Sequence, residues 1–172
     1  ITAIGNGQDV SAVDKQITSV GSIVYRRYRL GASFSYNKGD EQTEIVSGIF
    51  AGGNHGIFTW MFEKDFFQKK DMDGNGLSNF GQYDDTGDQS MTYFSLDTRL
   101  YRGINLKVSW DHWDPMMNWE TDERDRWSFG LELFPIQYFQ TSIFYRYRTA
   151  PNLDIYDADN EDQIYFETQF FF

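Results

Sequence analysis

The chain contains no cysteine. Disulfides, thiolate metal centres, cysteine nucleophiles and covalent attachment of c-type haem are therefore excluded. Basic side chains are outnumbered, with 15 Lys and Arg against 26 Asp and Glu. A nucleic-acid partner needs a basic footprint, which this balance does not supply. No apolar run approaches the ~18 residues of a membrane helix. The sequence starts at Ile1, without initiator methionine or signal peptide. The expectation is a removed leader or a piece of something longer. At 172 residues the chain has the length of about one domain.

What is abundant is aromatic, 19% of residues. A polar average combined with so much Phe, Tyr and Trp fits two architectures. One is a soluble β-sandwich or barrel with an aromatic core. The other is a transmembrane β-barrel, whose strands alternate lipid-facing and lumen-facing residues and so average out as polar.

Helical periodicity is nowhere convincing, and period two recurs almost throughout. The pattern predicts strands near Ile17–Arg26, Arg29–Asn37, Thr43–Gly52, Ile57–Phe67, Ser90–Leu100, Ile104–Trp113, Arg124–Phe134, Tyr138–Arg148 and Asp162–Phe172. Many are long enough for a tilted membrane strand of ~9–11 residues. Their faces are lopsided. Ile104, Leu106, Val108 and Trp110 oppose Asn105, Lys107, Ser109 and Asp111. Trp127, Phe129, Leu131 and Leu133 oppose Arg126, Ser128, Gly130 and Glu132. In Tyr138–Arg148, Thr141 and Phe144 break the pattern. Connections alternate as well. Short ones are expected at Arg26–Tyr28, Gly53–Gly56, Tyr101–Gly103 and Pro135–Ile136. Longer polar ones are expected at Lys38–Gln42, Gln68–Gln89, Asp114–Glu123 and Thr149–Glu161. Short turns on one rim and long loops on the other are the outer-membrane barrel arrangement. Trp110, Trp113, Trp127, Tyr138 and Tyr147 near strand ends fit interfacial girdles. The fold expected is all-β, an antiparallel transmembrane β-barrel with a meander of about nine or ten strands visible.

The chain ends in "QIYFETQFFF". Ile164, Phe166, Thr168, Phe170 and Phe172 share one face, and Gln163, Tyr165, Glu167 and Gln169 the other. This ending resembles the insertion signal of Gram-negative outer-membrane β-barrel proteins, read by the barrel-assembly machinery. The resemblance covers about the last ten residues. It assigns the signal to Ile164, Phe166, Phe170 and Phe172, with Thr168 the weak position. Phe171 falls on the polar side and has no counterpart in the signal. A second stretch, Asp114–Arg148, looks like the penultimate hairpins of porin-like barrels, including some that pair with multihaem cytochromes. The resemblance implies a bacterial outer-membrane location and a porin-like channel for ions or small solutes. Its alternative is a non-conducting structural barrel or a sheath for a partner such as a multihaem cytochrome. Outer-membrane lipid and a homo-oligomeric, periplasmic or extracellular partner complete the expectation.

The polar face carries both signs: Glu63, Asp65, Asp97, Arg99, Lys107, Asp111, Arg126, Glu132, Arg146, Arg148 and Glu167. In a narrow barrel these would interlock and plug the interior, and in a wider one they would line water and tune ion selectivity. The loop Gln68–Gln89 contains "DMDGNG", in which Asp71, Asp73, Asn75 and Gly76 match the opening of an EF-hand-type calcium loop. The twelfth position is Gln82 instead of the bidentate Glu, and a solvated Asp/Gly turn is the alternative. No other cofactor is expected. Asp84, Asp85, Asp111 and His112 resemble the Asp–Asp and Asp–His pairs of omptin-type proteases. Strand parity, however, puts His112 on the face of Trp110 and Val108, away from the polar side, so no enzyme is expected. His55 reads as a solvated turn residue. Finally, Ile1–Gly5 reads as the top of a further strand. Five residues are too few to cross the ~25 Å apolar band of a barrel. The expectation is the C-terminal part of a longer barrel.

Overall fold

The computed structural model describes residues 2–6, 15–38, 42–71, 88–115, 117, 123–136, 138–149 and 162–171. It is an all-β meander. The strands are β1 (Thr2–Asn6), β2 (Lys15–Tyr25), β3 (Tyr28–Lys38), β4 (Gln42–His55), β5 (Phe58–Asp71), β6 (Gln89–Tyr101), β7 (Ile104–Asp114), β8 (Arg124–Ile136), β9 (Phe139–Thr149) and β10 (Gln163–Phe170). They form one antiparallel sheet in sequence order, and no pairing joins β1 to β10 among the described residues. The sheet is open, as a partial barrel would be.

Period two explains both what holds the sheet together and how its faces differ. Residues facing each other across strands share a side, so register converts the sequence alternation into rows. On the apolar side, Phe62, Phe94, Trp110, Trp127 and Tyr147 form one row across β5 to β9. One step toward the long connections follows a polar row of Lys64, Thr92, His112, Asp125 and Thr149. At the opposite rim, Tyr25, Tyr28, Tyr101 and Tyr138 flank the short turns and are all exposed.

Burial is inverted relative to a water-soluble sheet. Ile164 and Phe166 are 75% and 70% exposed, while Ser128 and Glu132 retain only 5% and 9%. Among the described residues no large side chain is fully buried. A single sheet can shield one face without a second layer only by curling toward it. The concave side is therefore the polar one. Ser90 and Thr92 are also buried, although they lie on the apolar side. Their row neighbours are all larger: Phe66 and Asp114 beside Ser90, Lys64 and His112 beside Thr92.

Several boundaries differ from the sequence expectation. The "GNHG" turn does not occupy Gly53–Gly56. Gly53, Asn54 and His55 continue β4, and the turn is Gly56–Ile57. Gly56 has φ 62°, the left-handed region that two-residue hairpins use. Pro135 and Ile136 belong to β8 instead of a turn, with a register irregularity between Leu133 and Ile136. β5 runs on to Asp71, past the expected end at Phe67, so the loop starts later. Arg26 sits in the first turn, with φ 55°, and does not close β2. β1 lies where a further strand was expected, one residue later.

Candidate functional site

The concave face between β5 and β10 gathers the charged residues. Asp97, Lys107, Asp111, Arg126, Glu132, Arg146 and Arg148 all share its parity. At its centre Lys107 Nζ lies 3.0 Å from Glu132 Oε1 and 3.8 Å from Asp97 Oδ2. Gln140 Nε2 donates to the same Glu132 oxygen at 3.0 Å. Nearer the long connections, Arg126 grips Asp111 with two bonds, Nε to Oδ2 at 3.0 Å and Nη2 to Oδ1 at 2.9 Å. This two-point geometry is the strongest form of Arg–carboxylate pairing. On β9, Arg146 Nη2 donates to Tyr165 Oη at 2.9 Å, and Arg148 Nη2 donates to Gln163 Oε1 at 3.1 Å. The Arg146 guanidinium also lies 4.8 Å from the centre of the Tyr165 ring.

Two glycines let aromatic rings fold onto this face. The Phe144 ring occupies the place a Cβ of Gly130 would take, and Phe50 does the same over Gly31. Phe144 then stacks on Tyr165, with centroids 5.1 Å apart. Between these rings and the ion pairs is a recess of about 260 Å³, whose lining includes Ser95, Ser109, Ser128, Lys107 and Arg146. The three serines are register partners in one row. A second recess, of about 210 Å³, continues toward the short turns past Asp97, Arg99 and Asn105. Asp97 Oδ1 and Arg146 Nε are buried without a hydrogen-bond partner among the described residues.

The expected residues are distributed unevenly over this site. Glu63 and Asp65 sit on the same parity but on β5, at its side. Arg99 and Glu167 are exposed, Arg99 near the short-turn rim and Glu167 beside Gln169, whose Nε2 donates to it at 2.6 Å. Asp111 and His112 are on opposite faces, as strand parity required. His112 stacks on Trp110 at 5.7 Å, and its Nδ1 lies 3.1 Å from Asp125 Oδ1. The protease-like Asp–His pair is thus not assembled, and Asp84 and Asp85 lie outside the described residues. So do Asp73 and Asn75 of the calcium-like motif; Asp71 is the last residue of β5. Of the terminal signal, Ile164, Phe166 and Phe170 share the exposed apolar side, and Phe172 lies outside the described residues. Phe171 follows the end of β10 with its side chain exposed, and its N–H donates to Tyr138 O at 3.0 Å.

Sequence reasoning missed the Phe144–Tyr165 wall of the recess. The available signal was the pattern break at Phe144, which makes sense only when Gly130 is known to face it. It also left the tyrosines Tyr25, Tyr28 and Tyr101 unassigned, although each flanks a two-residue turn. Compared with protein-family descriptions, with curated proteins and with solved structures, the chain matches none.

Proposed function

We propose that this chain forms the wall of a Gram-negative outer-membrane β-barrel and works as a porin-like channel for ions or small solutes. The carrying observation is the inverted burial: the apolar face is open and the polar face is shielded. In water such an arrangement exposes a large apolar surface that invites association. In a bilayer acyl chains solvate it, and neighbouring strands satisfy the backbone. Dimensions agree. From Trp127 to Ile136 β8 runs ~30 Å at ~3.3 Å per residue. Tilted by ~35–45° it spans ~21–24 Å, close to the ~25 Å apolar band of outer-membrane barrels. Trp110, Trp127 and Tyr147 toward the long connections and the exposed tyrosines at the other rim stand where interfacial girdles would. The terminal aromatics on the apolar side fit recognition by the assembly machinery. The edges of β1 and β10 require partners in hydrocarbon, met by each other or by further strands.

Within this reading, conduction is favoured by the two recesses on the concave face, the first of them left unfilled by small serine side chains. The ion pairs around Lys107 favour the second reading, an interlocked, non-conducting wall or a sheath for a partner such as a cytochrome. The test is refolding of the chain into lipid vesicles, followed by planar-bilayer recording. Stepwise ionic currents are expected. Insertion without current would select the scaffold, and failure to take up lipid would overturn the membrane reading.

A further inference from the structure

Arg126 and Arg148 face each other directly across β8 and β9. Arg146 follows on the next inward position of β9, opposite Ser128. Like charges at opposed positions destabilise a sheet. Asp111 compensates Arg126. Arg146 and Arg148 bond instead to the neutral Tyr165 and Gln163, and among the described residues neither has a carboxylate partner. Arg146 thus lines the recess together with Ser95, Ser109 and Ser128, beside Lys107 and Arg126 with their carboxylate partners Asp97 and Asp111, while Arg148, opposite Arg126, stands outside that lining. The chain as a whole has formal net charge −11, so excess positive charge at one spot of its shielded face is a local arrangement, not a reflection of composition.

From this placement we propose that Arg146, with Arg126 beside it, and the serine row form a binding subsite for small oxyanion solutes, carboxylates or phosphates. Guanidinium groups present planar forks of N–H donors that match such oxygens. Serine hydroxyls rotate to donate a further bond from below. On a channel wall the subsite would favour anions over cations and hold a phosphate long enough to slow chloride. The inference rests on the channel reading for its transport consequence, but the binding itself does not require conduction.

The experiment therefore has two arms, both on the chain refolded in detergent, with refolding of each variant checked by heat-modifiable gel migration. Inorganic phosphate is titrated against tryptophan fluorescence, Trp127 lying beside Arg126 on β8 and Trp113 on the neighbouring β7. Saturable binding is expected, weakened about tenfold or more by Arg146→Gln, as loss of a charge-assisted contact implies. Arg99→Gln, on the same face but near the opposite rim, should change it less than twofold. In the bilayer arm, the reversal potential under a KCl gradient should indicate anion preference, reduced in Arg146→Gln. Phosphate binding without current would keep this inference and overturn the channel. Currents with cation preference and no phosphate binding would keep the channel and overturn this inference. Equal phosphate affinity in Arg146→Gln and Arg99→Gln would also overturn it.

Discussion

Gly130 illustrates how much of this wall is decided by single positions. Its missing side chain is filled by the Phe144 ring from the opposite strand, and that ring stacks on Tyr165. Covering a strand glycine with a cross-strand aromatic recovers contact area that glycine lacks. A methyl group added there meets the ring head-on. Gly130→Ala is expected to cost about 1–3 kcal/mol by overpacking. In a Phe144→Ala background the same change should cost much less. Urea unfolding of the four-member mutant cycle measures the difference, and strict additivity would contradict the contact. Arg26 is the converse case, a side chain where glycine would be at ease, with φ 55°. Arg26→Gly should raise stability by about 0.5–1 kcal/mol, since relief of the left-handed strain exceeds the flexibility glycine adds. The same urea midpoints test it. Neither position was legible in sequence. Phe144 stood out only as a break in alternation, because its partner lies on another strand and only register brings the two together.

At the level of the strand, alternation predicted nearly every element and its faces, because side-chain parity is a local property that needs no knowledge of neighbours. Boundaries slipped where a neighbour mattered. Gly53 looked like part of a turn, yet it stays in β4, where the Tyr28 ring of β3 packs against it. The charged site was legible as a face but not as an arrangement. Sequence places Asp111 and Arg126 on one side, but only the pairing of β7 with β8 makes them an ion pair, while Arg148, opposite Arg126, bonds to Gln163. Parity also yields a sharp expectation about energetics. If the apolar side meets lipid, arginine at Phe129, Leu131 or Val108 should cost ~2–4 kcal/mol near the bilayer midplane. Arginine at Ser95, on the concave face, should cost much less. Folding titrations into lipid vesicles read this directly, and equal penalties on the two faces would contradict the assignment of sides.

For the molecule as a whole, the notable fact is what the strands do not do. Among the described residues, every contact between elements joins sequence neighbours, from β1·β2 through β9·β10. Such a sheet is dominated by hairpins and has no long-range crossing to organise. On the barrel reading, its one non-local step is the meeting of its outer edges with their partners. Until that step the β10 edge is open, with Ile164, Phe166 and Phe170 bare beside it. The same arrangement carries a consequence for ancestry. Nothing in a wall of consecutive hairpins counts its own members. A hairpin copied or lost within the gene would change the width of the sheet while leaving each surviving pairing, turn and face as it was. A sheet of this kind is modular in the manner of a paling fence, and relatives of differing girth are the histories it permits.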